Sequence, residues 1–244
     1  MIDVSSAVLH MGAMRYPKTD HAPSLTPPLV DYAPPMDPYL NVVHEDEHIL
    51  VFDKPTGLLS VPGKAAEHQD CLEHRAVECY GDARIVHRLD MDTSGVMVLA
   101  RTADALRNLG RQFQKRKTSK QYVARVWGQL KDDEGHVDLP LICDWPSRPK
   151  QMVCFERGKP AQTDWKVIGR DEKSTLVRLS PITGRSHQLR VHMLSLGHVI
   201  LGDRFYAKDE ALTASDRLCL HAEYLGLIHP ATGEWMDFSS PISF

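Results

Sequence analysis

The sequence predicts an α+β fold built on a mixed, mostly antiparallel sheet. Three observations lead there. Segments with strand character outnumber helical ones, and they do not alternate with them as βαβ units would. From residue 41 onward no Gly/Ser linker, low-complexity run or internal repeat divides the chain. Residues 48–53 (HILVFD) form the first strand, closed by the turn Lys54-Pro55-Thr56-Gly57. Over 67–79, Leu72, Ala76 and Cys79 fall at i, i+4, i+7 and predict a short helix with that face buried. Residues 96–100 (VMVLA) read as a buried strand. Thr102 caps a helix running to about residue 116, with Leu106, Leu109 and Phe113 on its apolar face and the basic residues off it. Residues 121–127 (QYVARVW) are a strand that sets Tyr122, Ala124 and Val126 on one side, and 163–168 and 175–179 are further strands. Ser186 is expected to cap a helix carrying Leu189, Met193 and Leu196, ended by Gly197. Residues 218–228 and 234–238 flank Pro230-Ala231-Thr232-Gly233 as a hairpin.

Composition narrows the function classes. A chain of 244 residues, 42 % hydrophobic and 25 % charged, is an ordinary globular protein with ample material for a core. It has no run of ~18 apolar residues to span a membrane, and no basic-then-apolar start of the kind that marks a secretory signal. Five cysteines without a C-x-x-C pair argue against a disulfide framework or zinc ribbon and fit the cytoplasm. Seven of the 16 prolines lie in residues 1–40, and Pro27-Pro28 and Pro34-Pro35 forbid a helix there. Residues 1–38 are therefore expected to be an extended or disordered leader, and 39–244 one catalytic domain. No coiled-coil heptads are visible, so a monomer is expected. The net charge of −3 argues against a nucleic-acid partner only as a mean. Residues 41–80 hold eight acids and three bases. Residues 101–125 hold eight bases (Arg101, Arg107, Arg111, Lys115, Arg116, Lys117, Lys120, Arg125) against Asp104. Such a stripe is either a solvated helix face or the footprint of a polyanion.

Three segments carry more polar residues than packing needs: HRLDMDTSG at 87–95, KQYVA at 120–124 and TGRSHQLRVH at 183–192. Asp90 and Asp92 suggest the D-x-D-x-T pattern of an Mg²⁺-dependent phosphatase. The run-in His87-Arg88-Leu89 lacks the apolar strand that such a site tips, and Gly202-Asp203 with Asp209 only loosely echoes the downstream acidic motif. His187 and His192 are five apart and do not share a face as i, i+4 metal ligands do, so they read as hydrogen-bonded structural histidines. A non-catalytic RNA-binding module would explain the basic stripe but not Asp90, because a carboxylate beside a phosphate-binding surface costs affinity.

These residues carry a family resemblance. HRLDMDTSG resembles the H-R-L-D-x-x-T-S-G pattern of the RluA-type pseudouridine synthases. The other landmarks follow in order: KPTGLLSVPG at 54–63, Lys-x-Tyr-x-Ala at 120–124, TGRSHQLRVH at 183–192, LGDRFY at 201–206 and CLHA at 219–222. The likeness covers about 41–244. Within the family, PLICDWPSRPKQ at 140–151 and GKPAQT at 158–163 are similar to the branch that modifies both tRNA, at anticodon-loop uridine 32, and 23S rRNA. Many relatives carry an N-terminal S4 RNA-binding domain, and this chain has the Pro-rich leader in that place.

The resemblance implies a pseudouridine synthase fold, RNA as partner and no cofactor or metal, since the reaction rearranges one nucleoside without redox change. It assigns the catalytic carboxylate to Asp90, acting at C1′ or through a glycal, with attack on C6 of uracil as the other route. Arg190 is implied as its ion-pair partner, whose loss is expected to cost catalysis more than folding. Tyr122 is implied as the platform for the flipped base, and Arg88 as the residue filling the space that base vacates. His87 and Thr93 are expected to shape the loop, while Asp92 occupies a variable position and receives no catalytic part. Arg107, Arg111, Lys115, Arg116 and Lys117 are expected to face RNA phosphates.

Overall fold

The computed structural model describes residues 32–244, and these are organised by one ten-stranded sheet and a separate two-stranded one. In chain order the elements are β1 (Val42–Glu45), β2 (Ile49–Lys54), α1 (Leu72–Tyr80), β3 (Arg84–Ile85), β4 (Ser94–Ala100), α2 (Ala103–Gln114), β5 (Ser119–Trp127) and β6 (Glu134–Asp138). Then come β7 (Leu141–Cys143), β8 (Gln151–Val153), β9 (Gln162–Arg170), β10 (Ser174–Pro181), α3 (Gln188–Ser195), α4 (Asp209–Thr213), β11 (Leu220–Ile228) and β12 (Trp235–Ser239). The large sheet runs β1-β2-β4-β11-β5-β10-β9-β6, with β3 added to β4 and β12 to β11, while β7 and β8 pair on their own. This is the α+β architecture on a mixed, mostly antiparallel sheet that the sequence predicts. Every strand pair is antiparallel except β4 with β11, whose parallel contact joins Ser94 to His221 and Gly95 to Ala222.

Burial explains why β2 and β4 read as apolar runs rather than alternations. Ile49, Val51, Val96 and Val98 pack with Ala105 and Leu109 of α2. Their neighbours Leu50, Phe52, Met97 and Leu99 pack with Leu72 and Ala76 of α1. The other half of the sheet has its own core, where Ala124, Val126, Val177 and Leu179 meet Leu189 and Met193 of α3. Tyr122 touches the clusters of both halves, so it stands at the seam between them.

Several local expectations are corrected. The first helix starts at Leu72, where the Cys71 thiol accepts from the His74 amide, and 66–68 form only a 3-10 turn. Cys79 is exposed, and Arg75 is buried beside Leu72 and Ala76 instead, its guanidinium donating twice to Asp70 at 2.7 Å and to the Pro35 and Tyr39 carbonyls at 2.8 and 3.0 Å. The long arginine stem satisfies the apolar face while its head ties down a neighbouring segment. That segment is the end of the expected leader. Residues 1–31 lie outside the described residues, but Tyr32 donates to the Asp70 carbonyl at 2.8 Å and accepts from the Leu59 amide at 3.0 Å. Thr102 does cap α2, accepting from Ala105 at 3.1 Å, but the helix ends at Gln114. Ser186 does not cap α3. His187 takes that place in the left-handed region (φ 52°), and Gln188 Oε1 instead accepts from the Arg185 amide and the Thr183 hydroxyl. Leu196 is partly exposed. Strands β1 and β6–β8 are short or half-exposed and leave no clear period to read. Among the described residues, no helix is long and apolar enough to cross a membrane.

Gly95 is dictated by the parallel contact. Its φ is +116°, and a Cβ there would lie 2.3 Å from the Ala222 carbonyl oxygen. The obstacle is backbone and cannot swing aside. Gly95→Ala is expected to destabilise the fold by roughly 3 kcal/mol or more, read as a lower denaturation midpoint. An unchanged midpoint would show that β4 and β11 do not approach this closely.

Candidate active site

Residues 87–93 link β3 to β4 and are held from below by the turn after β2. The Ser60 hydroxyl donates to the Leu89 carbonyl at 2.7 Å and accepts from its amide at 3.1 Å. Gly57 N and Thr56 Oγ1 donate to the carbonyls of Met91 and Asp92 at 2.9 and 2.7 Å. Lys54 is fully buried, and its ammonium donates to the carbonyls of Pro55, Leu58 and Met91 at 2.7–3.0 Å. Burial pushes its pKa down to about 7, against the opposing charges of Asp92 and Asp90. Its bonds tie strand, turn and loop together, and they leave the Asp90 side chain a fixed base. Thr93 is buried, and its amide closes a turn on the Asp90 carbonyl at 3.1 Å.

His87 stacks on Phe113 (centroids 4.5 Å apart, planes 21°) and accepts from the Val98 amide at 3.2 Å. Burial, with the Lys120 charge adding to it, lowers its pKa to about 3. His187, His192 and His221 are lowered too, chiefly by burial. An unfolded chain takes up these protons near pH 6.5. Between about 6.5 and 3 the unfolded state therefore holds more protons, and stability must fall as pH falls. His87→Gln is expected to flatten that acid slope in denaturant titrations, and an unaltered slope would show that His87 does not stay neutral in the fold.

The structure brings Asp90, Arg190 and Tyr122 to one cleft. Arg190, 1 % exposed on α3, directs Nη1 at Asp90 Oδ2 over 3.4 Å. Its stronger partner is Asp203, which is completely buried and receives Nε at 2.8 Å and Nη2 at 2.6 Å. Burial opposes the guanidinium charge, but the bonds and charge of Asp203 and then of Asp90 outweigh it and raise the Arg190 pKa. Asp203 is the residue that sequence reasoning missed. In the sequence it reads only as a loose echo of a Mg²⁺ motif, although the LGDRFY landmark carries it. Phe205 and Tyr206 of the same segment lie under the guanidinium, 5.0 and 5.3 Å from ring centre to Cζ. The Tyr206 hydroxyl meets His187 Nδ1 at 2.8 Å and accepts from the Gln151 amide at 2.8 Å, and His187 Nε2 lies 3.8 Å from Asp90. Asp92 is held by Arg204 at 2.8 Å. Each carboxylate of the D-x-D motif thus has its own arginine, so the pair does not converge on a shared cation site. Among the described residues no group of three or more His, Cys, Asp or Glu is placed to hold a metal.

Tyr122 lines the cleft on β5, and burial followed by the Asp90 charge raises its pKa, so it remains a phenol. The cleft encloses about 470 Å³ open to solvent, with Arg88, Lys120 and Arg185 adding positive charge to its walls. Asp90 itself is 34 % exposed, reachable from this space. The expected phosphate-facing residues Arg107, Arg111, Lys115, Arg116 and Lys117 are all exposed, on the outer face of α2 and the turn after it. Arg107 is engaged by Asp104. The other end of the strip runs through Lys117 into β5 at Lys120, on the cleft wall, and the His87–Phe113 stack anchors α2 to the Asp90 loop.

A family model described as RNA pseudouridylate synthase matches residues 48–195. The dual-specificity RNA pseudouridine synthase RluA of Escherichia coli (strain K12) is 58 % identical over 215 residues, covering 88 % of this chain and 98 % of that protein. The corresponding protein of Pasteurella multocida (strain Pm70) is 55 % identical over 217 residues, 88 % of this chain and 99 % of its own length. Among solved structures, human RNA Pseudouridylate Synthase Domain Containing 1 superposes with a TM-score of 0.71 at 27 % identity over 83 % of each chain.

Proposed function

The chain belongs to the RNA pseudouridylate synthase family and isomerises uridine to pseudouridine in RNA, and on that premise we propose that Asp90 is the group that acts at the ribose of the target uridine. The observation that carries this is the pairing of the half-exposed Asp90 with a buried, permanently charged Arg190 at the floor of an open cleft. The N1–C1′ bond must break, the uracil must turn, and C5 must bond to C1′ with loss of its proton. Asp90 serves the first step, by adding to C1′ or by taking the C2′ proton to leave a glycal. Arg190 keeps the carboxylate aimed and offsets its charge as the cleft closes over a base.

Tyr122 offers its ring to the detached uracil, and its phenol stands ready to accept or relay the C5 proton. Arg88, exposed on the catalytic loop, fills the place the base leaves in the RNA stack. The exposed cations of α2 supply phosphate contacts that position the hairpin without reading its sequence. The relatives named dual-specificity RNA pseudouridine synthases support more than one RNA substrate, and the motif resemblance supports reading these as hairpins of tRNA, at anticodon-loop uridine 32, and of 23S rRNA. We further place the enzyme in the cytoplasm as a monomer.

Carbodiimide primer-extension mapping of total RNA from deleted and complemented cells tests this. The wild-type gene should restore every stop that deletion removes. Unchanged stops after deletion would overturn the substrate assignment. The isomerisation needs no added group, so purified protein is expected to turn over fully in excess EDTA.

A further inference from the structure

We propose that the loop joining β7 to β8 is a second RNA-binding element, in which Trp145 stacks on an unpaired nucleobase next to the one being modified. This rests on the proposed function, since it extends the same RNA surface. Trp145 is 70 % exposed and Phe155, just past β8, is 67 % exposed, the two most exposed aromatic side chains among the large hydrophobic residues at the described surface. The hairpin does not need them for packing. Its apolar side is already spent, with Leu141 and Val153 against Val191 of α3.

The tip is pre-organised. The Asp144 amide donates to the Lys150 carbonyl at 2.9 Å, and Ser147 and Lys150 amides close two further turns at 3.0 Å. Arg148 lies over one face of the indole, 4.3 Å from its centre, so the ring is already half of a stack with a cation behind it. Residues 140–160 hold four bases against two acids (Asp144 and Glu156), which favours a negatively charged partner such as RNA over a basic or apolar surface.

Continuity with the cleft decides the occupant. Cys143 pairs with Gln151 at the last rung before the tip. The Gln151 amide donates to Tyr206, Tyr206 meets His187, and His187 adjoins Asp90. The tip therefore springs from the wall of the catalytic cleft. A hairpin loop whose uridine is drawn into that cleft must present its flanking, unstacked bases nearby, and an exposed aromatic face backed by arginine is the surface that unstacked bases take. Double-stranded stem would not use it, because stacking needs a free π-face.

The test measures affinity of the full chain for a synthetic anticodon stem–loop with uridine at position 32. An Asp90→Asn background prevents turnover. Trp145→Ala is expected to weaken binding at least fivefold without changing the salt dependence, while Trp145→Phe keeps most of the affinity. Arg148→Ala should lower the slope of log K against log salt by about one. RNA should quench tryptophan fluorescence in the parent and lose most of that quench in Trp145→Phe. Binding by Trp145→Ala within twofold of the parent, in a chain that makes pseudouridine when Asp90 is present, overturns the stacking platform alone. A wild-type chain that makes no pseudouridine overturns the reading of the site itself.

Discussion

Asp90→Asn is expected to reduce pseudouridine formation by roughly 10⁴-fold or more, with folding and RNA affinity little changed. Asparagine keeps the size and polarity of the side chain but loses the charge and nucleophilicity that bond cleavage at C1′ demands. The fold should tolerate it for a reason visible in the geometry. Arg190 leans on Asp203 through two bonds of 2.6 and 2.8 Å and touches Asp90 through one of 3.4 Å. Taking away the weaker partner leaves the guanidinium paired, and the partly exposed Asp90 pair contributes no more than about 1 kcal/mol. Nucleoside analysis of a defined RNA hairpin, with binding measured alongside, checks this. Retained turnover would remove Asp90 from the chemistry, and lost binding would make it an RNA contact.

Arg190→Met is expected to abolish most turnover and also to destabilise the protein by about 3–5 kcal/mol. The second effect departs from the sequence-based expectation that folding would be affected less than catalysis. Asp203 is wholly buried, and Arg190 is the cation that answers its charge. Methionine would strand a carboxylate in the interior. Two roles of Arg190 can be separated by also removing Asp203. The double variant Arg190→Met/Asp203→Leu should regain much of the lost stability, because an apolar pair can replace a buried ion pair at little cost. It should not regain activity, since Asp90 still lacks its cation. Recovery of turnover in the double variant would make Arg190 a structural residue only.

The Asp90 loop is legible because its information is local. HRLDMDTSG names Asp90 and its shaping residues in nine consecutive positions, and the tyrosine and arginine that join it sit in similarly compact motifs. The larger helices and central strands were legible too, from apolar period and from the Thr102 cap. Arg75 was not, because periodicity treats an arginine on a buried face as an interruption, whereas its head reaches the Asp70 side chain and two carbonyls. Lys54 reads in sequence only as part of a turn, whereas its ammonium holds that turn to the Asp90 loop.

By itself the sequence determined the fold class and the reaction and singled out Asp90 as the carboxylate we propose to react, since motif and period are properties of neighbouring residues. Only the tertiary structure decided who supports that carboxylate. Asp203 reaches Arg190 across 13 residues, Arg190 reaches Asp90 across 100, and Arg204 takes Asp92 across 112. Those distances along the chain close when β4 and β11 pair and the two cores meet at Tyr122. A charge finds its partner by proximity in space and low dielectric around it, and neither is written in the order of the residues.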